Sequence, residues 1–372
     1  MAAWGAGAVI GAMSSSRSSQ LWLKLYLAPR IGGGAVSKLL KAAGDRSIWS
    51  LSRFDYEASG LLHVYRALHD EGLDPGVDRL RNLLEKLPDV RLVTPDDDEY
   101  PRRLRTFHFT PPVLFVRGRL EQEPPAVAVV GSRKPGRHRA ELTREWCAEW
   151  AEAGLSIISG MAEGIDKAAH VGALAGGGHT VAVLGTGPDK TYPSPHAALQ
   201  DRILASGGAV VSQFAPHTRT FRGSFPARNV TMAGLTDLVV VMQAGARSGA
   251  LYTAKAAHHS SRRVLVAPSD LADPANAGGL RLLRDKARAI GSPNDLLSLF
   301  GRSTLRRPPE AALPLPEHLA PVHAALDFSG QSLDELVRKL NLPTAKVLAG
   351  LLALELAGAV VRQPGPRYAR IR

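Results

Sequence analysis

The stretch with the most chemistry in it is VAVVGSRKPG, residues 127–136, where four apolar residues run into Gly131, Ser132 and Arg133 and a glycine returns at 136. A buried parallel strand ending in a glycine turn before a helix presents free backbone N–H groups to an anion, so it suits a phosphate. Three further stretches share this character. SGMAEGID (159–166) holds Gly160 and Gly164, GTGPDKTYP (185–193) holds Gly187 and Lys190, and ARSGALYTAK (246–255) sets Ser248 and Gly249 at a helix start. The single-nucleotide fingerprints fit poorly. A dinucleotide loop needs G-x-G-x-x-G and a later acid, yet GSRKPG offers only Gly131 and Gly136, and a P-loop lysine does not follow an aspartate as Lys190 follows Asp189. Four anion-friendly turns exceed the phosphates of one nucleotide and match those of a polynucleotide strand. Arg137, His138 and Arg139 in the next helical turn oppose the helix dipole, an arrangement that makes sense beneath a polyanion.

SQFAPHTRTFRGSFPARN, residues 212–229, interleaves Phe214, Phe221 and Phe225 with Arg219, Arg222 and Arg228. Aromatics and arginines alternating in an irregular segment can stack unpaired bases. Phe214 reads as cover for the sheet, Phe225 as exposed. Acid–base chemistry is weakly signalled: Glu163, Asp166, His170 and His196 have no diagnostic spacing, and Asp166 reads as a helix cap. The single cysteine, Cys147, excludes an internal disulfide and a cysteine zinc site, and its amphipathic surroundings make it a buried, inert residue.

The elements that must position these residues follow a change of pattern. Residues 18–105 carry apolar residues at helical spacing, as in SQLWLKLYLAP and AVSKLLKAAG, separated by RIGGG. From 106 to 300 short β-branched runs at 127–130, 155–158, 180–184, 209–211, 237–242 and 263–267 alternate with helix-length segments such as 138–153 and 250–260. That alternation is an α/β fold with an extended Rossmann-like parallel sheet covered on both faces. Residues 301–318, rich in Pro and charge, read as a linker. In 319–372, Ser332 and Glu335 form a capping box, Thr344 caps a second helix that Gly358 closes, and AVVRQ, PGP and RYARIR make a hairpin. This is the pattern of a winged helix. The apolar MAAWGAGAVIGAM at the start lacks a basic beginning and is too short to span a membrane, so residues 1–17 read as a disordered leader of a cytoplasmic protein. The net charge of +12 favours an anionic partner, and 126–300 hold 19 Lys/Arg against 13 Asp/Glu, half of that excess.

VAVVGSR, SGMAEGIDKAAH, TVAVLGTGPDKTYP, FPARN, AGLTDLVVV, SGALYTAKAA and VLVAP together resemble the DNA processing protein A family, also called DprA or Smf, from about residue 20 to the C-terminus. The resemblance implies a helical N-terminal module, a Rossmann domain that binds single-stranded DNA, and a winged helix. It further implies a homodimer that hands incoming DNA to RecA during natural transformation, without catalysis and without a cofactor. Carried over by position, the phosphate contacts are Ser132, Arg133, Gly160, Gly164, Lys190, Arg228, Asn229, Ser248 and Gly249, with Phe225 beside a base. The chain departs from the family's pattern at Gly136, His138, Arg139, Gln213, Gln243, Val230, Ser269, Leu280 and Lys286, and Arg30 stands at the first glycine of its helix–hairpin–helix turn. Two other readings stay open: a nucleotide-binding or nucleotide-hydrolysing Rossmann enzyme, and a transcription regulator led by the winged helix.

Overall fold

In the computed structural model, the apolar run Ala126–Gly131 is a central strand of a nine-stranded sheet. The residues described are 17–122, 124–270, 272–303, 316–327, 330–357, 359–363 and 367–370. Residues 1–16 of the expected leader, most of the linker, Gly358 and the PGP turn lie outside them, while Arg17, expected in the leader, is the first residue of a helix. The chain divides into two compact units, one through Thr304 and one from Leu305.

The first unit opens with helices α1 (Arg17–Leu27), α2 (Gly33–Ala43), α3 (Arg53–Ala58), α4 (Leu62–Leu68) and α5 (Asp74–Glu85). Strand β1 (Arg91–Val93), helix α6 (Arg102–Arg105) and strand β2 (Leu114–Gly118) follow. Next come β3 (Ala126–Gly131), α7 (Arg137–Glu152), β4 (Ser156–Ser159), α8 (Ile165–Ala175), β5 (Thr180–Leu184), α9 (Ala197–Ala205) and β6 (Ala209–Ser212). The unit continues through α10 (Ser224–Gly234), β7 (Leu238–Gln243), α11 (Ala250–His259), β8 (Arg263–Val266), α12 (Ala277–Arg284), β9 (Arg288–Ala289) and α13 (Pro293–Leu297). The sheet order is β1-β2-β6-β5-β4-β3-β7-β8-β9. Strands β6 to β9 in that order pair in parallel, while β2 runs antiparallel to β6, and β1 antiparallel to β2.

Alternation along β3 builds both faces of the core. Val127 and Val129 meet Trp146, Cys147 and Trp150 of α7 and Ile165, Ala169 and Ala173 of α8. Ala128 and Val130 face the side that holds Met232 and Ala233 of α10 and Ala250, Ala254 and Ala257 of α11. Buried on both faces, such strands read as continuous apolar runs. Cys147 is buried, and burial pushes its thiol up. The chain proceeds from β3 outward to β6 and then returns to β7 on the other side of β3, which makes the β3/β7 boundary a topological switch point. A crevice opens there beyond the carboxyl ends of the strands.

Residues 18–105 are not wholly helical. Arg91–Val93 is too short to show a strand period between its flanking Pro88-Asp89 and Pro95-Asp96 turns, yet it pairs with Leu114–Val116 because β2 needs a partner on its outer edge. The helices share a core with that strand through Trp22, Leu25, Leu39 and Phe115. Trp22 and Trp49 both donate their indole N–H to Asp96, at 2.9 and 2.7 Å, and the Ala215 amide donates to the Tyr26 hydroxyl at 2.9 Å. Between α1 and α2, Arg30 takes a φ of 66°, a left-handed turn that costs a side-chain-bearing residue about 1 kcal/mol.

The second unit holds α14 (Ala320–Ala325), β10 (Gln331–Ser332), α15 (Leu333–Leu340), α16 (Thr344–Leu356), β11 (Val360–Gln363) and β12 (Arg367–Arg370). Leu336, Val347, Leu351, Leu354 and Tyr368 form its core. The Ser332–Glu335 capping box forms as expected. Thr344, expected as a cap, is instead the first helical residue, because Pro343 already sets the chain for a helix start. The hairpin gains a third strand, β10, on β12.

His170 sits in the core of the first unit with Nδ1 2.8 Å from Thr180 Oγ1, and burial lowers its pKa to about 3. A histidine with a depressed folded pKa supports the fold above its unfolded pKa and loses that support as pH falls toward 3. The unfolding free energy from urea titrations should therefore fall between about pH 6.5 and pH 3, by up to ~1.4 kcal/mol per pH unit from this group. His170→Gln should flatten that part of the profile, and an equal slope in the variant would contradict the assignment.

Candidate nucleic-acid interface

Six of the expected residues come together. Ser132 and Arg133 after β3, Arg228 and Asn229 of α10, and Ser248 and Gly249 before α11 line one cleft of about 410 Å³ at the switch point. Sequence-distant residues meet because the parallel strands deliver their loops to a common edge. The Lys134 amide donates to Ser132 Oγ at 3.1 Å, and the Ala250 amide to Ser248 Oγ at 3.3 Å. Each hydroxyl thus accepts from the backbone and keeps its own hydrogen for an acceptor. Asn229 donates Nδ2–H to the Gly249 carbonyl at 3.2 Å, which ties α10 to the start of α11.

Arg228 is 4% exposed. Its Nη1 donates to the Gly160 carbonyl and, at 2.9 Å, to that of Val183, while Nε has no partner among the described residues. Burial lowers its pKa, and the Asp166 carboxylate opposes that shift. Asp166 is itself buried; desolvation raises its pKa, countered first by Arg228. It accepts from the Ala162 amide at 3.3 Å, which ties the preceding loop to the first turn of α8; the cap position itself is Gly164, so Asp166 is not the cap that the sequence suggests. Among the lining residues the charges are Arg133, Arg228 and Arg247 against Asp166 alone, so the cleft favours an anion.

Gly160 and Gly164 stand behind the cleft and do not line it. A Cβ on Gly160 would overlap the Arg228 guanidinium, and one on Gly164, at φ 81°, would overlap the Ser132 carbonyl. Their part is close packing: the Ala162 amide serves Asp166 and the Ile165 amide donates to Ser132 O at 3.1 Å. The 185–193 turn differs from expectation in the same way. Gly187 donates its amide to Thr218 and Lys190 to Gly187, and Lys190 is half-buried and does not line the cleft. Arg139, expected beneath a polyanion, is buried and donates to the Pro268 carbonyl at 2.8 Å.

Phe225, expected to be exposed, is half-buried next to the cleft because its ring packs against Gly185. The Arg133 guanidinium lies 5.5 Å over its ring and Tyr192, 45% exposed, packs at 5.5 Å. Arg133 thereby joins the anion site to an aromatic shelf. Phe214, expected as core, is half-buried and edge-on to Phe221, which is exposed. Tyr192 and Arg247 were missed in the sequence, though each lies within two residues of a position it singled out.

Glu163 and His196 do meet, Oε1 to Nε2 at 2.9 Å, but the imidazole is 1% exposed with Nδ1 on the Met161 carbonyl. Neither residue lines the cleft, so the pair is a strut between two loops. Among the described residues no group of three or more His, Cys, Asp or Glu could hold a metal, and no helix is long and apolar enough to cross a membrane.

Residues 91–301 match the family described as DNA recombination-mediator protein A, and 306–366 match the DprA winged helix domain. Protein Smf of Synechocystis sp. is 36% identical over 319 residues, 75% of this chain and 80% of that protein. The X-ray structure of DNA processing protein A from Streptococcus pneumoniae aligns with a TM-score of 0.60 at 30% identity, over 75% of this chain and 95% of that one. DNA processing protein A from Helicobacter pylori, a structure that addresses its single-stranded DNA binding mode, aligns with a TM-score of 0.51 at 26% identity, over 56% and 95%.

The contact between Gly160 and Arg228 has a direct test. Gly160→Ala should expel the guanidinium from its carbonyl partners and cost about 2 kcal/mol or more. Thermal denaturation reads this, and an unchanged melting temperature would mean that the guanidinium does not pack there.

Proposed function

The chain belongs to the DNA recombination-mediator protein A family, and on that premise we propose that it binds single-stranded DNA without catalysis. Consecutive phosphates run along the switch-point cleft and bases rest on the shelf beside it. The observation that carries this reading is the convergence of Ser132, Arg133, Arg228, Asn229, Ser248 and Gly249 on one cleft with a single carboxylate. Phe225 with Tyr192 supplies a stacking face within reach of Arg133. Gly160 and Gly164 support the phosphate site from behind, and Lys190 meets the strand as it leaves the cleft. The single-stranded binding mode addressed for the Helicobacter pylori protein supports the same choice of substrate. In this reading the protein acts as a homodimer that protects incoming DNA and passes it to RecA during natural transformation.

The nucleotide-hydrolase alternative needs an acid or base facing the cleft. Glu163 and His196 face each other instead, and Asp166 is engaged with Arg228 and the Ala162 amide. Nucleotide hydrolysis that Glu163→Gln abolishes would restore that alternative.

Arg133→Ala should weaken oligo-dT binding by about tenfold, uniformly across base sequences, and make the salt dependence shallower by about 0.7 in log–log slope. Fluorescence anisotropy over a salt series with oligo-dT, duplex and a mononucleotide measures this. An unchanged slope, or equal affinity for the mononucleotide, would refute the phosphate contact.

A further inference from the structure

A second, larger groove begins where the cleft ends. Arg247 and Ser248 line both, and from them the groove runs between α11 and α12 with a volume of about 1100 Å³. That is more than the roughly 300–1,000 Å³ of an ordinary small-molecule pocket. Its floor is apolar, with Leu251, Val264, Leu282 and Ala287, while six Arg and Lys side chains line it against one carboxylate, Asp285. Arg281 pairs with Asp285 at 3.8 Å, and Arg262 is turned inward onto backbone carbonyls. Among the described residues, Arg247, Lys255, Arg263 and Lys286 are exposed and have no carboxylate partner. Tyr252, 59% exposed, lies on α11 three residues before Lys255, on the same helix face.

Lys286 adds an independent observation. Its φ is 71°, in the left-handed region that a side chain disfavours and glycine accepts. A cation is held at the groove margin in a conformation that a glycine would adopt with less strain. Strain of this kind points to a function for the side chain.

We propose that this groove is a second segment of the DNA path, taking the nucleotides that follow those in the cleft. Phosphates pass Arg247, Lys255 and Lys286, and a base lies on Tyr252. The inference rests on the single-stranded DNA reading and extends it. A polyanion with flat apolar faces fits a cationic rim over an apolar floor. A second copy of the chain docked symmetrically on the groove would oppose cation with cation. An acidic protein would satisfy the rim and leave no reason for continuity with the cleft.

The test uses the full chain and two oligothymidylates, one of about six nucleotides and one of about twenty, lengths chosen around the site sizes of single-strand binders. For Lys255→Gln/Lys286→Gly, affinity for the longer strand should fall about tenfold and its salt slope should become shallower by about 1.4, two contacts at ~0.7 each. Affinity for the shorter strand should stay unchanged. Lys286→Gly alone should raise the melting temperature while weakening the longer strand, which separates lost contact from lost folding. Equal losses on both lengths, no loss on either, or poly-glutamate binding the wild-type groove as tightly as the longer strand and losing it in the double variant would each overturn the proposal. If the wild-type chain binds the short strand and the variant keeps the same preference for length, only the groove inference fails. Failure of the wild type to bind either strand removes the parent reading as well.

Discussion

A guanidinium taken out of water needs partners for its donors and an opposing charge, and Arg228 occupies that position at the centre of the domain. The carbonyls of Gly160 and Val183 and the carboxylate of Asp166 meet part of the need. Much of the surrounding sequence follows. Gly160 has to lack a side chain to admit the guanidinium, and Asp166 has to sit in the first turn of α8, where it also holds the 160–162 loop. Among the described residues the Nε–H of Arg228 has no partner, and Arg228 lines the cleft together with Arg133 and Arg247. The cleft is therefore short of negative charge, which is the condition that the proposed phosphate contacts require.

The sheet determines where such a cleft can form. Parallel strands bring loops far apart in sequence to one edge, and the reversal of strand order at β3 and β7 parts the loops on either side. The same β3 residues that separate the two cores, with side chains alternating toward α7 and α8 or toward the α10–α11 side, lead into Gly131 and the turn that carries Ser132 and Arg133. The strand that packs both cores thus also delivers Ser132 and Arg133 to the cleft. Linking Asn229 to Gly249 and Glu163 to His196 braces neighbouring loops against each other.

Much of the fold was legible because buried parallel strands advertise themselves: β5 and the starts and ends of α7 and α11 fall within one residue of where the apolar runs place them. Strand β1 was not, since three residues of an edge strand carry no period, and only the unpaired margin of β2 calls for it. At the site, residue type and position were legible but direction was not. Arg139 and Arg133 look alike in RKPGRHR's neighbourhood, yet one turns to the Pro268 carbonyl and the other to Phe225. The glycines at 160, 164 and 187 read as anion turns, whereas tertiary contacts had already claimed the amides around them. Sequence shows where donors exist; burial decides which remain available.

The central claim is that several strand-end loops jointly hold successive phosphates of one unpaired strand. Calorimetric titration with thymidine oligomers of increasing length, from the mononucleotide to about six residues, tests it most directly. The account predicts that each added nucleotide tightens binding until the cleft is filled. A mononucleotide that binds as tightly as the longer oligomers would contradict it.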